Sequence, residues 1–175
     1  MLMCISGSLR RGSTNSALLR EAARLYGGDH RFADLRLPLY DGDLEGESGL
    51  PEDVLHVTRQ IEAAEAVVVS TPEYNKMLSG VLKNALDWIS RTKPFVLQDK
   101  PVAILSAAAG QSGGARARYS LMMALAAFRP RFSTGPEVLI AGSGAAFDAE
   151  GRLSDPRSVA VLGQAMDRLR SEATA

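Results

Sequence analysis

One cysteine and two histidines stand in a chain of 175 residues, and neither sign of charge is in excess. Cys4 alone cannot form an internal disulfide, and cysteine-based zinc sites are excluded. His30 and His56 are far apart, and no cluster of acids and histidines has metal-ligand spacing, so no metal is expected. No Ser/His/Asp or Cys/His set is visible, so no catalytic side chain is expected. Twenty basic residues cancel twenty acidic ones, which gives nucleic acid and anionic membranes no electrostatic handle. No apolar run reaches the length of a membrane span, and no signal peptide precedes the first apolar run. A cytoplasmic location is the expectation. A Walker A loop is missing, since no Gly-Lys-Ser/Thr closes any glycine-rich stretch. Gly142-Ser143-Gly144-Ala145-Ala146-Phe147 lacks the third glycine of a dinucleotide fingerprint and reads as a loop.

What remains is an ordinary globular composition, 46% hydrophobic and 23% charged, in a length suited to one domain over residues 1–175. Apolar runs alternate with amphipathic segments. Met1 to Ile5, Ala66 to Ser70 and Pro101 to Leu105 read as strands buried on both faces. His30 to Asp34 reads as a short second strand and Pro136 to Ala141 as the last. Helices are expected after each, with apolar faces such as Leu18, Ala22 and Leu25, or Leu162, Ala165, Met166 and Leu169. Leu35 to Leu50 is rich in Gly, Asp, Glu and Pro and reads as a loop. Alternation of this kind predicts an α/β fold with a doubly wound, five-stranded parallel sheet in the flavodoxin-like order 2-1-3-4-5.

The most informative stretch is Gly7-Ser8-Leu9-Arg10-Arg11-Gly12-Ser13-Thr14-Asn15-Ser16, between the first strand and its helix. A helix cap needs one hydroxyl or amide residue; this loop holds five, with two arginines. Backbone N–H groups and the positive end of the helix dipole suit a phosphate there. Two further unusual loops, 71–78 and 106–114, follow strands three and four and fall on the same edge of the sheet. Thr71-Pro72-Glu73-Tyr74-Asn75 can form one wall of a site. Ser106 to Gly114 is built of small residues, so backbone can approach a flat ring closely. A flat, heteroatom-edged ring attached to a phosphate points to FMN.

Gly-Ser-Leu-Arg-x-x-Ser-x-Asn, Thr-Pro-Glu-Tyr-Asn and Gly-Val-Leu-Lys-Asn-Ala-Leu-Asp-Trp, with the Gly-Gly-Ala-Arg-Ala run, together resemble the NADPH-dependent FMN reductase family. The branch is the one holding quinone, chromate and azo-dye reductases. The resemblance runs from about Met3 to Leu169. It implies that Ser8, Arg10, Ser13, Asn15 and Ser16 hold the FMN phosphate. It implies that Pro72, Glu73, Tyr74 and Asn75, with the loop from Ala107 to Gly110, hold the ring. Lys83, Asn84, Asp87 and Trp88 match a helix that supports the site and contributes to a subunit interface. A homodimer or homotetramer, with NADPH or NADH as hydride donor, is implied as well. Where relatives carry a small residue, an apolar residue and a Pro after Pro-Glu-Tyr-Asn, this chain has Lys76-Met77-Leu78-Ser79. Ala107 stands where a hydroxyl is frequent, which leaves its backbone to meet the ring.

The expected activity is hydride transfer from NAD(P)H to bound flavin, then to a quinone, azo, chromate-type or free-flavin acceptor, with ping-pong kinetics. The competing readings are an FMN-binding electron carrier without NAD(P)H oxidase activity and a non-flavin phosphate-binding domain. Carriers are usually strongly acidic, and this chain is neutral.

Overall fold

The computed structural model describes residues 1–174. Its centre is three parallel strands: β1 (Leu2–Ser6), β3 (Ala66–Thr71) and β4 (Pro101–Ala107). β2 (His30–Phe32) pairs with β1 on one side, so the order across the sheet is β2-β1-β3-β4 and then the far edge. Every pairing is parallel, as the continuous apolar runs require of a sheet covered on both faces. Ser6 lies opposite Ser70, and Thr71 opposite Ser106, so the three central strands end level with one another.

The fifth position differs from the expected single strand. β5 (Arg131–Phe132) pairs with Pro101 and Val102, and β6 (Val138–Ile140) pairs with Leu105 to Ala107. Between them Ala103 and Ile104 of β4 have no strand partner on that side, so the edge ladder is interrupted. Pro136, which the sequence assigned to the strand, sits in that interruption and has no N–H to offer a ladder. Edge strands tolerate such breaks because only one neighbour depends on them.

Helices α1 (Thr14–Tyr26), α2 (Gly42–Ser48), α3 (Glu52–Ala63), α4 (Gly80–Ile89), α5 (Ala115–Ala126) and α6 (Pro156–Ala173) connect and cover the strands. Strand alternation divides the apolar side chains into two cores. Leu2, Cys4, Val68 and Leu105 meet α1 and α6 through Leu18, Leu19, Leu162, Met166 and Leu169. Met3, Ile5, Val67, Val69 and Ile104 meet α3, α4 and α5 through Val57, Ile61, Leu82, Leu86 and Leu121. Each large aliphatic so buried contributes about 1.5–3 kcal/mol of transfer free energy. Residue type alone assigns Met122, Met123 and Phe128 to a helix core, but Met123 is 75% exposed, Met122 is half-buried and Phe128 is buried. Cys4 is fully buried in the core beneath α1 and α6, and burial pushes its thiol up to about 12, so it stays protonated.

α2 occupies the stretch read as a loop. It buries no residue, so no apolar periodicity marks it. Its signals are at its ends: the Asp41 side chain accepts from the Asp43 N–H, and Gly49 follows at φ 74. Asn84 and Trp88 of α4 both donate to the Pro38 carbonyl, at 2.9 and 2.8 Å, and tie down the chain that enters α2.

One buried acid anchors α1. Glu21 is 2% exposed and its carboxylate accepts from Arg24 at 3.0 Å and from Arg152 at 3.0 Å. Burial opposes the charge, but the hydrogen bonds from the two guanidinium groups outweigh it and hold the carboxyl below its ordinary value of 4.5. A lowered folded-state pKa contributes stability that is present above the ordinary value and is lost as pH falls through the folded one. Glu21→Gln is therefore expected to cost about 2 kcal/mol at pH 7. Urea unfolding should show the gap between variant and wild type closing as pH falls below 4.5.

Candidate functional site

Because β1, β3 and β4 end level, the loops that follow them share one edge of the sheet. A cleft opens there, lined by Ser8, Arg10, Ser13 and Thr14 from the first loop, Pro72 and Tyr74 from the second, and Ala107 to Ala109 from the third. Asn15, Glu73 and Ser143 complete its lining.

The first loop ends in a well-formed helix start. Ser13 is the N-cap of α1, and its side chain accepts from the Ser16 N–H at 3.2 Å. The N–H groups of Thr14 and Asn15 have no intrachain partner among the described residues and stand at the positive end of the helix dipole. Asn15 is 2% exposed, and its carboxamide is fully engaged on backbone and on a neighbouring hydroxyl. Oδ1 accepts from the Ala107 N–H at 3.0 Å and from Ser70 Oγ at 2.8 Å, while Nδ2 donates to the Ala107 carbonyl at 2.8 Å. The side chain expected on a ligand thus cross-links α1 to β3 and β4, and what Asn15 offers the cleft is its main-chain N–H. The same bonds occupy both backbone groups of Ala107, so the free donors of the third loop begin at Ala109.

The second loop makes a tight reversal. Tyr74 and Met77 exchange backbone hydrogen bonds at 3.2 and 3.1 Å, with Asn75 at φ 51 and Lys76 at φ 66. Asn tolerates that left-handed region better than most residues, and Asn75 serves the turn rather than lining the cleft. Glu73 does border the cleft, but its carboxylate points at a helix. It accepts from the N–H groups of Arg116 and Ala117 at 3.1 and 3.3 Å, and from the Arg116 guanidinium at 3.4 Å. The N-cap of α5 is Gly114, which has no side chain, so Glu73 caps α5 from another loop.

Ser16 and Gly110 also stand apart from the cleft. Ser16 Oγ bonds Ser6 Oγ at 2.8 Å on the far side of the first loop, and Gly110 accepts from the Gly113 N–H. Ser8, Arg10, Ser13, Pro72, Tyr74 and Ala107 line the one cleft together. Sequence reasoning missed Ser143, which is 6% exposed, accepts from Thr14 Oγ1 at 3.2 Å and donates its N–H to the Ala108 carbonyl. Its signal was positional, since residues 142–147 follow β6 and reach the same edge.

Chemically the cleft offers donors at one end and a flat floor of small side chains at the other. Its only carboxylate, Glu73, is already bonded, and no histidine or cysteine lines it. Among the described residues no cluster of potential metal ligands occurs, and no helix is long and apolar enough to cross a membrane.

Residues 1–145 match the family described as NADPH-dependent FMN reductase. A NAD(P)H-dependent FMN reductase of Pseudomonas aeruginosa is 44% identical over 169 residues, covering 95% of this chain and 91% of its own. A quinone reductase of Escherichia coli is 37% identical over 142 residues, 79% of this chain and 76% of that protein. Among solved structures, the flavoenzyme NAD(P)H:(acceptor) oxidoreductase of Paracoccus denitrificans superposes with a TM-score of 0.89 at 29% identity. That alignment covers 99% of this chain and 96% of the other.

Two substitutions separate scaffold from ligand contact. Asn15→Ala leaves Ser70 Oγ and both Ala107 backbone groups unpaired in the interior, and should cost about 3 kcal/mol in urea unfolding. Glu73→Gln should cost only about 1 kcal/mol, because α5 keeps a neutral acceptor at its start.

Proposed function

The chain belongs to the NADPH-dependent FMN reductase family, and we propose that its cleft binds FMN for NAD(P)H-dependent reduction of a small acceptor. The observation that carries this reading is the pairing, in one cleft, of an anion-binding helix start with a flat floor of alanines. The residues present fit the cofactor on those grounds. Free N–H groups of Thr14 and Asn15, hydroxyls of Ser8 and Ser13, and the Arg10 guanidinium are the donor set a dianionic phosphate needs. Ala107, Ala108 and Ala109 leave space for a planar ring, with free N–H groups from Ala109 onward to meet its polar edge.

FMN bound there would supply the hydride and electron chemistry, with NADPH or NADH as donor. The side chains around it bind, orient and exclude water. Pro72 and Tyr74 form the wall, and Glu73 fixes that wall to α5. Ser16 and Asn75, placed on the ligand by resemblance, act in this reading through the loop conformations they stabilise. Gly110 belongs to the turn beyond the floor.

No separate dinucleotide fingerprint supplies a second nicotinamide site, so donor and acceptor are proposed to use the cleft in turn. Acceptors of the quinone class have support in the relatives' names, and azo compounds, chromate-type oxyanions and free flavin are in the same reach. Residues 1–175 are read as one FMN-binding domain in the cytoplasm, where reduced nicotinamide is found. A homodimer or homotetramer is also part of the reading. Tyr119 and Met123 lie one turn apart on α5, and Tyr74 and Met77 lie on the reversal beside the cleft; all four are exposed. A second copy would cover apolar surface at that place.

Arg10→Ala should weaken FMN binding by about ten- to a hundredfold, read by quenching of flavin fluorescence. Unchanged affinity would remove Arg10 from the site. Initial rates with varied NADPH and quinone should give parallel double-reciprocal lines, and intersecting lines would contradict shared use of the cleft.

A further inference from the structure

On the other side of the first loop lies a second groove of about 290 Å³, which shares Ser8 and Arg10 with the cleft. It is strongly basic: the guanidinium groups of Arg10, Arg11, Arg20 and Arg36 border it, against the single carboxylate of Asp34. Asp34 is committed to Arg36, accepting from its side chain at 3.0 Å and from its backbone at 3.1 Å. Arg11 and Arg20 make no ion pair among the described residues. Elsewhere on α1 the chain does pair its charge, since Arg24 meets Glu21.

The groove is also partly apolar. Leu9 and Phe32 line it and are 41% and 40% exposed, two of the few large apolar side chains left open to solvent. Ser16 and Arg20 are four residues apart on α1, so a hydroxyl and a guanidinium share the helix face that borders the groove. Unpaired guanidinium groups beside an open aromatic ring are the chemistry that recognises a phosphorylated purine nucleoside.

We infer that this groove takes the adenosine 2′-phosphate end of NADPH, with Arg11 and Arg20 as the residues that prefer NADPH over NADH. The inference rests on the reading of the cleft as the FMN and nicotinamide site. A dinucleotide with its nicotinamide in the cleft must lay its adenosine outside it. The rim formed by Ser8 to Arg11 is where guanidinium groups without an ion pair gather around one groove, whereas on the Glu73 side Arg116 is already paired and Lys76 stands alone on the exposed reversal. Phe32 and Leu9 would cover the purine, and Arg11 and Arg20 the monoester that distinguishes the two donors. Arg10 borders both hollows and is left to the FMN phosphate.

The test uses FMN-loaded protein and two probes without nicotinamide, adenosine 2′,5′-bisphosphate and adenosine 5′-monophosphate, followed by titration calorimetry. The bisphosphate should bind at least about tenfold more tightly. Arg11→Ala and Arg20→Ala should each remove most of that preference, Arg20→Lys should keep part of it, and FMN affinity should stay at the wild-type value. Equal binding of the two probes by wild-type protein would overturn the inference, as would a preference that survives in the double alanine variant. A loss of FMN affinity in Arg20→Ala, with the preference intact, would reassign the groove to the FMN phosphate and overturn it too. If wild-type protein fails to take up FMN, the reading of the cleft fails. The same two titrations on FMN-free protein then decide the groove separately, a preference that depends on Arg11 and Arg20 supporting it and its absence overturning it.

Discussion

The carboxamide of Asn15 holds the edge of this sheet together. One side chain accepts from Ser70 at the end of β3, and it accepts from and donates to Ala107 at the end of β4. Parallel strands end in free backbone groups, and loops that leave them in different directions have no inherent reason to converge. A buried amide with complementary donors and acceptors pins the start of α1 against both strand ends. The free N–H groups of Thr14 and Asn15 are thereby fixed in one cleft with Ala107 to Ala109, the arrangement on which the proposed phosphate and ring sites depend.

Other polar side chains at that edge follow the same logic. Glu73 caps a helix that begins on glycine, and Ser13 caps α1 on its own loop. Thr14 and Ser143 join the first loop to the segment after β6. Each closes a backbone or hydroxyl requirement within the protein, so few side chains compete for the ligand. The donors left over are backbone N–H groups, the Ser8 hydroxyl and arginine, which suits a site whose chemistry is carried by its cofactor. At the rim of the first loop Arg10, Arg11 and Arg20, none of them in an ion pair among the described residues, gather where two hollows meet.

Much of this could be read from the chain. Val67 to Val69 and Val102 to Leu105 are continuous apolar runs, and only a doubly covered strand explains them in a chain of this composition. The order of the sheet followed from alternation, and the location of the cleft followed from the order. α2 escaped notice because it buries nothing, so its existence depends on Asp41, Gly49 and the anchoring of Pro38 by Asn84 and Trp88. The broken edge escaped because Pro136 adjoins an apolar run and reads as its first residue. At the site, residue type located the cleft but not the task of each side chain. An asparagine facing a phosphate and an asparagine facing two strand ends look alike in sequence, and only the hydrogen-bond partners in the fold distinguish them. Glu73 is similar, since its partner α5 lies some forty residues away in sequence.

The most direct measurement is an anaerobic titration of FMN-loaded protein with NADPH, following the visible absorbance of the flavin. The account predicts bleaching by stoichiometric NADPH and return of the colour when a quinone is added. Flavin that binds but keeps its colour in excess NADPH and excess NADH would contradict it, and would leave a cleft that holds FMN without serving as a reductase.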